Sequence, residues 1–98
     1  MKLRIHRLAV AEIDHEVDYY DSCSAGLGAE LEGEIDAVLE TILQFPYAAS
    51  QWRDRRDRRV AVLDRFPFTL VYQIKAEEIV VLALAHTSRS PGYWSRRR

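Results

Sequence analysis

Two periodicities divide the chain. Between Phe66 and Lys75 the pattern alternates: Phe66, Phe68, Leu70, Tyr72 and Ile74 fall on one face, Thr69, Gln73 and Lys75 on the other. That spacing predicts a strand with one buried side. Pro67 cannot donate to a ladder, so it belongs at the strand's first residues or on an edge. Ile79 to Ala85 is apolar on both faces and rich in branched residues, as expected of a central strand covered on both sides. Lys75 to Glu78 is a short polar link, so the two strands should form an antiparallel hairpin.

Upstream the period lengthens. Lys2 to Leu8 alternates and predicts a first strand, and from Val10 the apolar positions Val10, Ile13, Val17 and Tyr20 line one face of a helix ending near Cys23. Ser24 to Gly28 supplies two glycines and a candidate N-cap serine. A second helix carries Leu27, Leu31, Ile35, Val38, Ile42 and Phe45 on its apolar stripe and closes at Pro46. Tyr47 to Arg59 reads as a polar link dense in arginine, with the second strand entered at Arg58-Arg59. The expected fold is therefore α+β, a two-layer sandwich of order β-α-α-β-β-β, in which a helical hairpin covers a mainly antiparallel sheet.

Ninety-eight residues suit one domain spanning 1–98. The sole cysteine, Cys23, can form no intramolecular disulfide, and Lys2, Arg4 and Arg7 interrupt any signal-peptide or membrane segment near the start, so a cytoplasmic protein is expected. A net charge of −1 conceals a division: residues 1–45 hold three cations against ten carboxylates, and residues 46–98 hold eleven against five. A basic half points toward an acidic partner, whether polynucleotide or protein.

The chemically capable side chains collect after the last strand, in His86-Thr87-Ser88-Arg89-Ser90-Pro91-Gly92-Tyr93-Trp94. Metal-independent RNA cleavage through a 2′-hydroxyl needs a base, an acid and cations for the charged transition state. Tyr93 and His86 are the proton-transfer candidates; Arg89, the third core candidate, could hold phosphate, with Arg59 and Arg65 in support. Trp94 or Trp52 offers a face on which a base can stack. Each also has a plainer reading: His86 as a strand-end hydrogen-bonding residue, Tyr93 and Trp94 as packing over the sheet, Arg53 to Arg59 as a loop paired with Asp54 and Asp57, and Arg96 to Arg98 as a solvated end. His6, His15, His86 and Cys23 have no metal-ligand spacing, and Gly26-Leu27-Gly28 is a turn, not a phosphate loop, so no metal or cofactor is expected.

Taken in order, Ala11-Glu12-Ile13-Asp14, Tyr19-Tyr20, Gly26-Leu27-Gly28, Phe45-Pro46, Arg58-Arg59, Phe66-Pro67-Phe68, Tyr72, and His86, Arg89, Pro91, Tyr93 and Trp94 resemble the RelE/ParE superfamily of toxins from type II toxin–antitoxin modules along the whole chain. The resemblance implies a growth-inhibiting toxin neutralised in a hetero-oligomer by a cognate antitoxin. It implies either of two mechanisms: ribosome-dependent mRNA endonuclease, with Tyr93 at the position of a C-terminal functional tyrosine, or non-enzymatic inhibition of DNA gyrase. The nuclease is narrowly preferred on the His-Arg-Tyr-Trp cluster. Ala61, Val62 and Asp64, standing where RelE-like enzymes bring lysines and an arginine to phosphate, favour the gyrase inhibitor. An inactive scaffold retained as a binding protein is a third reading.

Overall fold

The computed structural model describes residues 1–98 as two helices lying on one face of a five-stranded sheet. The strands are β1 (Lys2–Ile5), β2 (Ser50–Trp52), β3 (Arg55–Val62), β4 (Phe68–Ile74) and β5 (Glu78–His86), in the spatial order β1-β5-β4-β3-β2. The helices α1 (Arg7–Cys23) and α2 (Leu27–Gln44) lie between β1 and β2 in sequence. All neighbouring strands are antiparallel except β1, which runs parallel to β5. The α+β architecture is the expected one, with one strand more than the sequence pattern indicated.

That strand, β2, pairs Ser50 with Val60 and Gln51 with Arg59, so the segment expected to be a polar link is an edge hairpin. Its arginines are not solvated loop residues alone: Arg58 and Arg59 are both buried in β3. Successive strand residues face opposite sides, and the register separates the two. Arg59 sits opposite Tyr72, whose ring belongs to the helix-side core, and Arg58 sits opposite Gln73 on the far face.

The alternation in β4 holds, since Phe68, Leu70, Tyr72 and Ile74 all enter the core beneath the helices, joined by Phe66 from the turn before the strand. β5 is buried on both faces as expected. Ile79, Val81 and Leu84 meet the helices, while Val80, Leu82, Ala83 and Ala85 meet Trp94 and Val71 on the other side. The change of phase between Val81 and Leu84 comes from a bulge: Tyr72 faces Val81 and Val71 faces Ala83, leaving Leu82 as the extra residue.

Four details of the helices depart from the sequence reading. The core face of α1 is led by Ala9, fully buried, while Val10 is exposed. The helix begins earlier than Val10 because His6 caps it, its Nδ1 accepting the Leu8 N–H at 3.1 Å. Burial, reinforced by Arg97 and Arg7, lowers the His6 pKa, which keeps that nitrogen an acceptor. In α2, Leu31, Ile35 and Ile42 are buried, but Phe45 lies beyond the last turn and is exposed. Ser24 ends α1 and does not cap α2; the first turn of α2 is instead held by Asp21, whose Oδ1 accepts the Gly28 N–H at 2.8 Å. A Cβ on Gly28 would stand 2.4 Å from the Val17 carbonyl oxygen, so the close approach of the two helices requires glycine there.

Candidate functional site

The site grows out of an unpaired edge. β1 is four residues long and accompanies β5 only from Glu78 to Val81, after which the chain turns away into α1. Backbone groups of Leu82 and Leu84 on that open edge need partners. Side chains provide them. Glu12 of α1 accepts the Leu84 N–H at 3.1 Å, Arg97 Nη1 donates to the Leu82 carbonyl at 2.9 Å, and the Tyr93 hydroxyl lies 3.4 Å from the Leu84 carbonyl.

The same three side chains bind one another. Tyr93 donates to Glu12 Oε2 at 2.9 Å, and Arg97 reaches both carboxylate oxygens of Glu12, at 2.9 and 3.2 Å. Arg89 stacks on the Tyr93 ring with its guanidinium carbon 3.7 Å from the ring centroid, and its Nη1 lies 3.9 Å from Glu12. Glu12 thus anchors the C-terminal tail to α1 and to the edge of β5. The chain can take this path because Gly92 has φ of 89°, a left-handed conformation that also brings its backbone against Trp52. Trp94 then lies buried on the far face of the sheet, edge-on to Trp52 and Tyr93.

Of the six residues singled out in the sequence, four come together. His86, Arg89, Tyr93 and Trp94 are neighbours around the end of β5. His86 is exposed, its Nδ1 facing the Ser88 hydroxyl at 2.7 Å and its ring edge-on to Phe68. His86 and Arg89 line a groove of about 400 Å³ with Glu12, His15, Glu16 and Arg97. They also line a smaller depression of about 230 Å³ with Trp52, Val60, Pro91 and Trp94.

Arg59 and Arg65 lie apart from this cluster and line neither concavity. Arg59 is buried, with Nε donating to the Arg56 carbonyl and Nη1 to those of Tyr47 and Ala49, at 3.0 to 3.1 Å. Arg65 is exposed and pairs with Glu30 at 2.7 Å, while Glu34 accepts the backbone N–H groups of Asp64 and Arg65. Glu12 and Arg97 were missed by the sequence reading. The segment Ala11-Glu12-Ile13-Asp14 offered Glu12 as one glutamate among several on the helices, and Arg97 sat in a run of three arginines with nothing to mark it as the one drawn inward.

Burial first, then the hydrogen bond to Glu12, pushes the Tyr93 phenol up to about 12. The folded protein therefore favours the neutral phenol. Its contribution is whole below the unfolded tyrosine value near 10 and is lost as pH rises from about 10 to about 12. Denaturant melts at about pH 9 and about pH 11.5 should show the wild type losing roughly 1 kcal/mol more than Tyr93→Phe, a value reduced for a part-exposed group. Equal losses in both proteins would show that the phenol is not held this way.

Residues 3–91 match the sequence model of the ParE toxin of the type II toxin–antitoxin system parDE. No curated protein sequence matches significantly. Among solved structures, a chain described as the chromosomal ParDE TA system from P. aeruginosa superposes with a TM-score of 0.77 at 23% identity, covering 88% of this chain and 95% of that one.

Proposed function

The chain belongs to the ParE toxins of type II toxin–antitoxin systems, and from that premise we propose that it acts by binding a protein target, DNA gyrase, without cutting RNA. The observation that carries this reading is the state of Tyr93. Its hydroxyl is already donating to Glu12 and its pKa stands at about 12, so at neutral pH it holds its proton firmly and is a poor general base. The phosphate-side candidates support the same reading, since Arg59 spends its Nε and Nη1 donors on backbone carbonyls and Arg65 pairs with Glu30.

On this reading the tail is an epitope. His86 and Arg89 are its exposed polar contacts, set between two shallow concavities, while Tyr93 and Trp94 hold the tail in place. A cognate antitoxin neutralises the toxin in a heteromeric complex, and the exposed apolar side chains Leu43, Phe45 and Tyr47 at and beyond the end of α2 offer it surface of the kind that a helix or an added strand covers. No helix is long and apolar enough to cross a membrane.

The test is induction without antitoxin, followed by two assays on the same cells and on purified protein. Plasmid supercoiling by gyrase should fail while ribosome-bound mRNA stays intact, and the His86→Ala/Arg89→Ala variant should restore supercoiling without a change in its melting curve. Cleavage of ribosome-bound mRNA that disappears in a folded Tyr93→Phe protein would overturn the proposal and return the phenol to chemistry.

A further inference from the structure

On the sheet face away from the helices lies a concavity of about 520 Å³ with no hydrophobic residue in its lining, formed by Arg58, Gln73, Lys75, Ser95, Arg96 and Arg98. Four of these six residues are cations and none is a carboxylate. Arg58 is 6% exposed, yet only its Nη1 has a partner nearby, the Ser95 carbonyl at 3.0 Å; its Nε is buried with no acceptor. Opposite it across the β3–β4 ladder, Gln73 gives its Nε2 to Asp57 at 3.1 Å, which leaves its own Oε1 buried with no donor.

From these groups we infer that Arg58, Lys75, Arg96 and Arg98 form a binding site for a phosphate group. A buried guanidinium with an unused donor is costly unless an acceptor arrives. Four like charges around one cavity repel until an anion enters among them. Phosphate answers both needs, because its oxygens accept from the planar guanidinium fork and from ammonium groups together. A phosphate that carries a hydroxyl would also satisfy Gln73 Oε1. Burial and the neighbouring Arg55 lower the Arg58 pKa, opposed by Asp57, the carboxylate that already accepts the Gln73 amide. The tail closes the site: Trp94, packed on the far face, delivers Ser95, Arg96 and Arg98 over β3 and β4. This site is separate from the His86–Arg89 surface and does not depend on gyrase being the target.

The phosphate has two possible carriers, a terminal monoester and the diester backbone of a nucleic acid. Calorimetric titration of the purified chain with sodium pyrophosphate, against chloride at matched ionic strength, should show saturable binding and a raised melting temperature. Lys75→Gln/Arg98→Gln, two surface substitutions that leave the core alone, should weaken it by about tenfold or more. Arg58→Met should abolish binding if it folds, and the surface pair keeps the test decisive if it does not. A 5′-phosphorylated DNA duplex binding better than its unphosphorylated twin identifies the monoester, and equal binding of both, weakened by the same pair, identifies the backbone. Absence of binding to pyrophosphate and both duplexes at millimolar concentration, or binding that the surface pair leaves unchanged, would overturn the inference and leave water as the occupant.

Discussion

Glu12→Ala is expected to lower stability by about 3 kcal/mol, the scale of stripping one partner from a mostly buried ion pair. For a domain of this size that corresponds to a melting temperature lower by on the order of 15 °C. The reason is that one carboxylate satisfies four donors: the Leu84 N–H, the Tyr93 hydroxyl, and two nitrogens of Arg97. Alanine leaves the Leu84 amide on an open strand edge and the Arg97 guanidinium, whose side chain is only 14% exposed, without its counter-ion. The tail should detach before the sheet melts, so limited trypsin should cut after Arg89, Arg96 or Arg97 faster than in the wild type. Glu12→Gln, which keeps an acceptor but loses the charge, should fall between the two. Unchanged melting and unchanged proteolysis in Glu12→Ala would mean that the tail is held by Trp94 alone.

This dependence also shows why the candidate site was only half legible in the sequence. The segment 86–94 was recognisable because polar aromatics and cations are concentrated after a buried strand, and the structure does gather His86, Arg89, Tyr93 and Trp94 there. How it is anchored was not, since the anchor depends on β1 ending at Ile5 while β5 runs on to His86, a mismatch of lengths that no local pattern reports. The fold followed a similar division. Strands with a strong alternation or a continuous apolar run, β4 and β5, were plain. β2, three residues with no buried alternation, exists through its pairing with β3. β3 was expected from Arg58, and only its first three residues, Arg55 to Asp57, were assigned to the link; its buried positions include two arginines, since a guanidinium can be buried once carbonyl oxygens meet it. The displacement of Val10 by Ala9 has the same character, since a three-or-four spacing fixes a stripe but small residues shift its centre.

Arg59→Ala is expected to cost about 3 kcal/mol, whereas Arg65→Ala should leave the melting temperature nearly unchanged. Both residues are arginines that a sequence reading offers to phosphate, and only their surroundings separate them. Arg59 closes the junction between the end of α2 and the β2–β3 hairpin: its guanidinium donates to the Tyr47, Ala49 and Arg56 carbonyls and lies 5.1 Å from the centre of the Tyr47 ring. Beside it the Tyr72 hydroxyl donates to the Pro46 carbonyl at 2.6 Å, so the loop leaving α2 is tied to the sheet at two adjacent points. Removing the guanidinium leaves three carbonyl oxygens to find water in a partly closed space, and each such group costs about 1–3 kcal/mol when it finds none. Lysine restores one charge but not the planar fork, so Arg59→Lys should recover only part of the loss. Arg65, by contrast, makes an exposed pair with Glu30, and solvent replaces that pair readily. Thermal melts of the three variants decide the matter: a stable Arg59→Ala protein with weakened nucleic-acid affinity would assign Arg59 to phosphate, and a destabilised one assigns it to the junction.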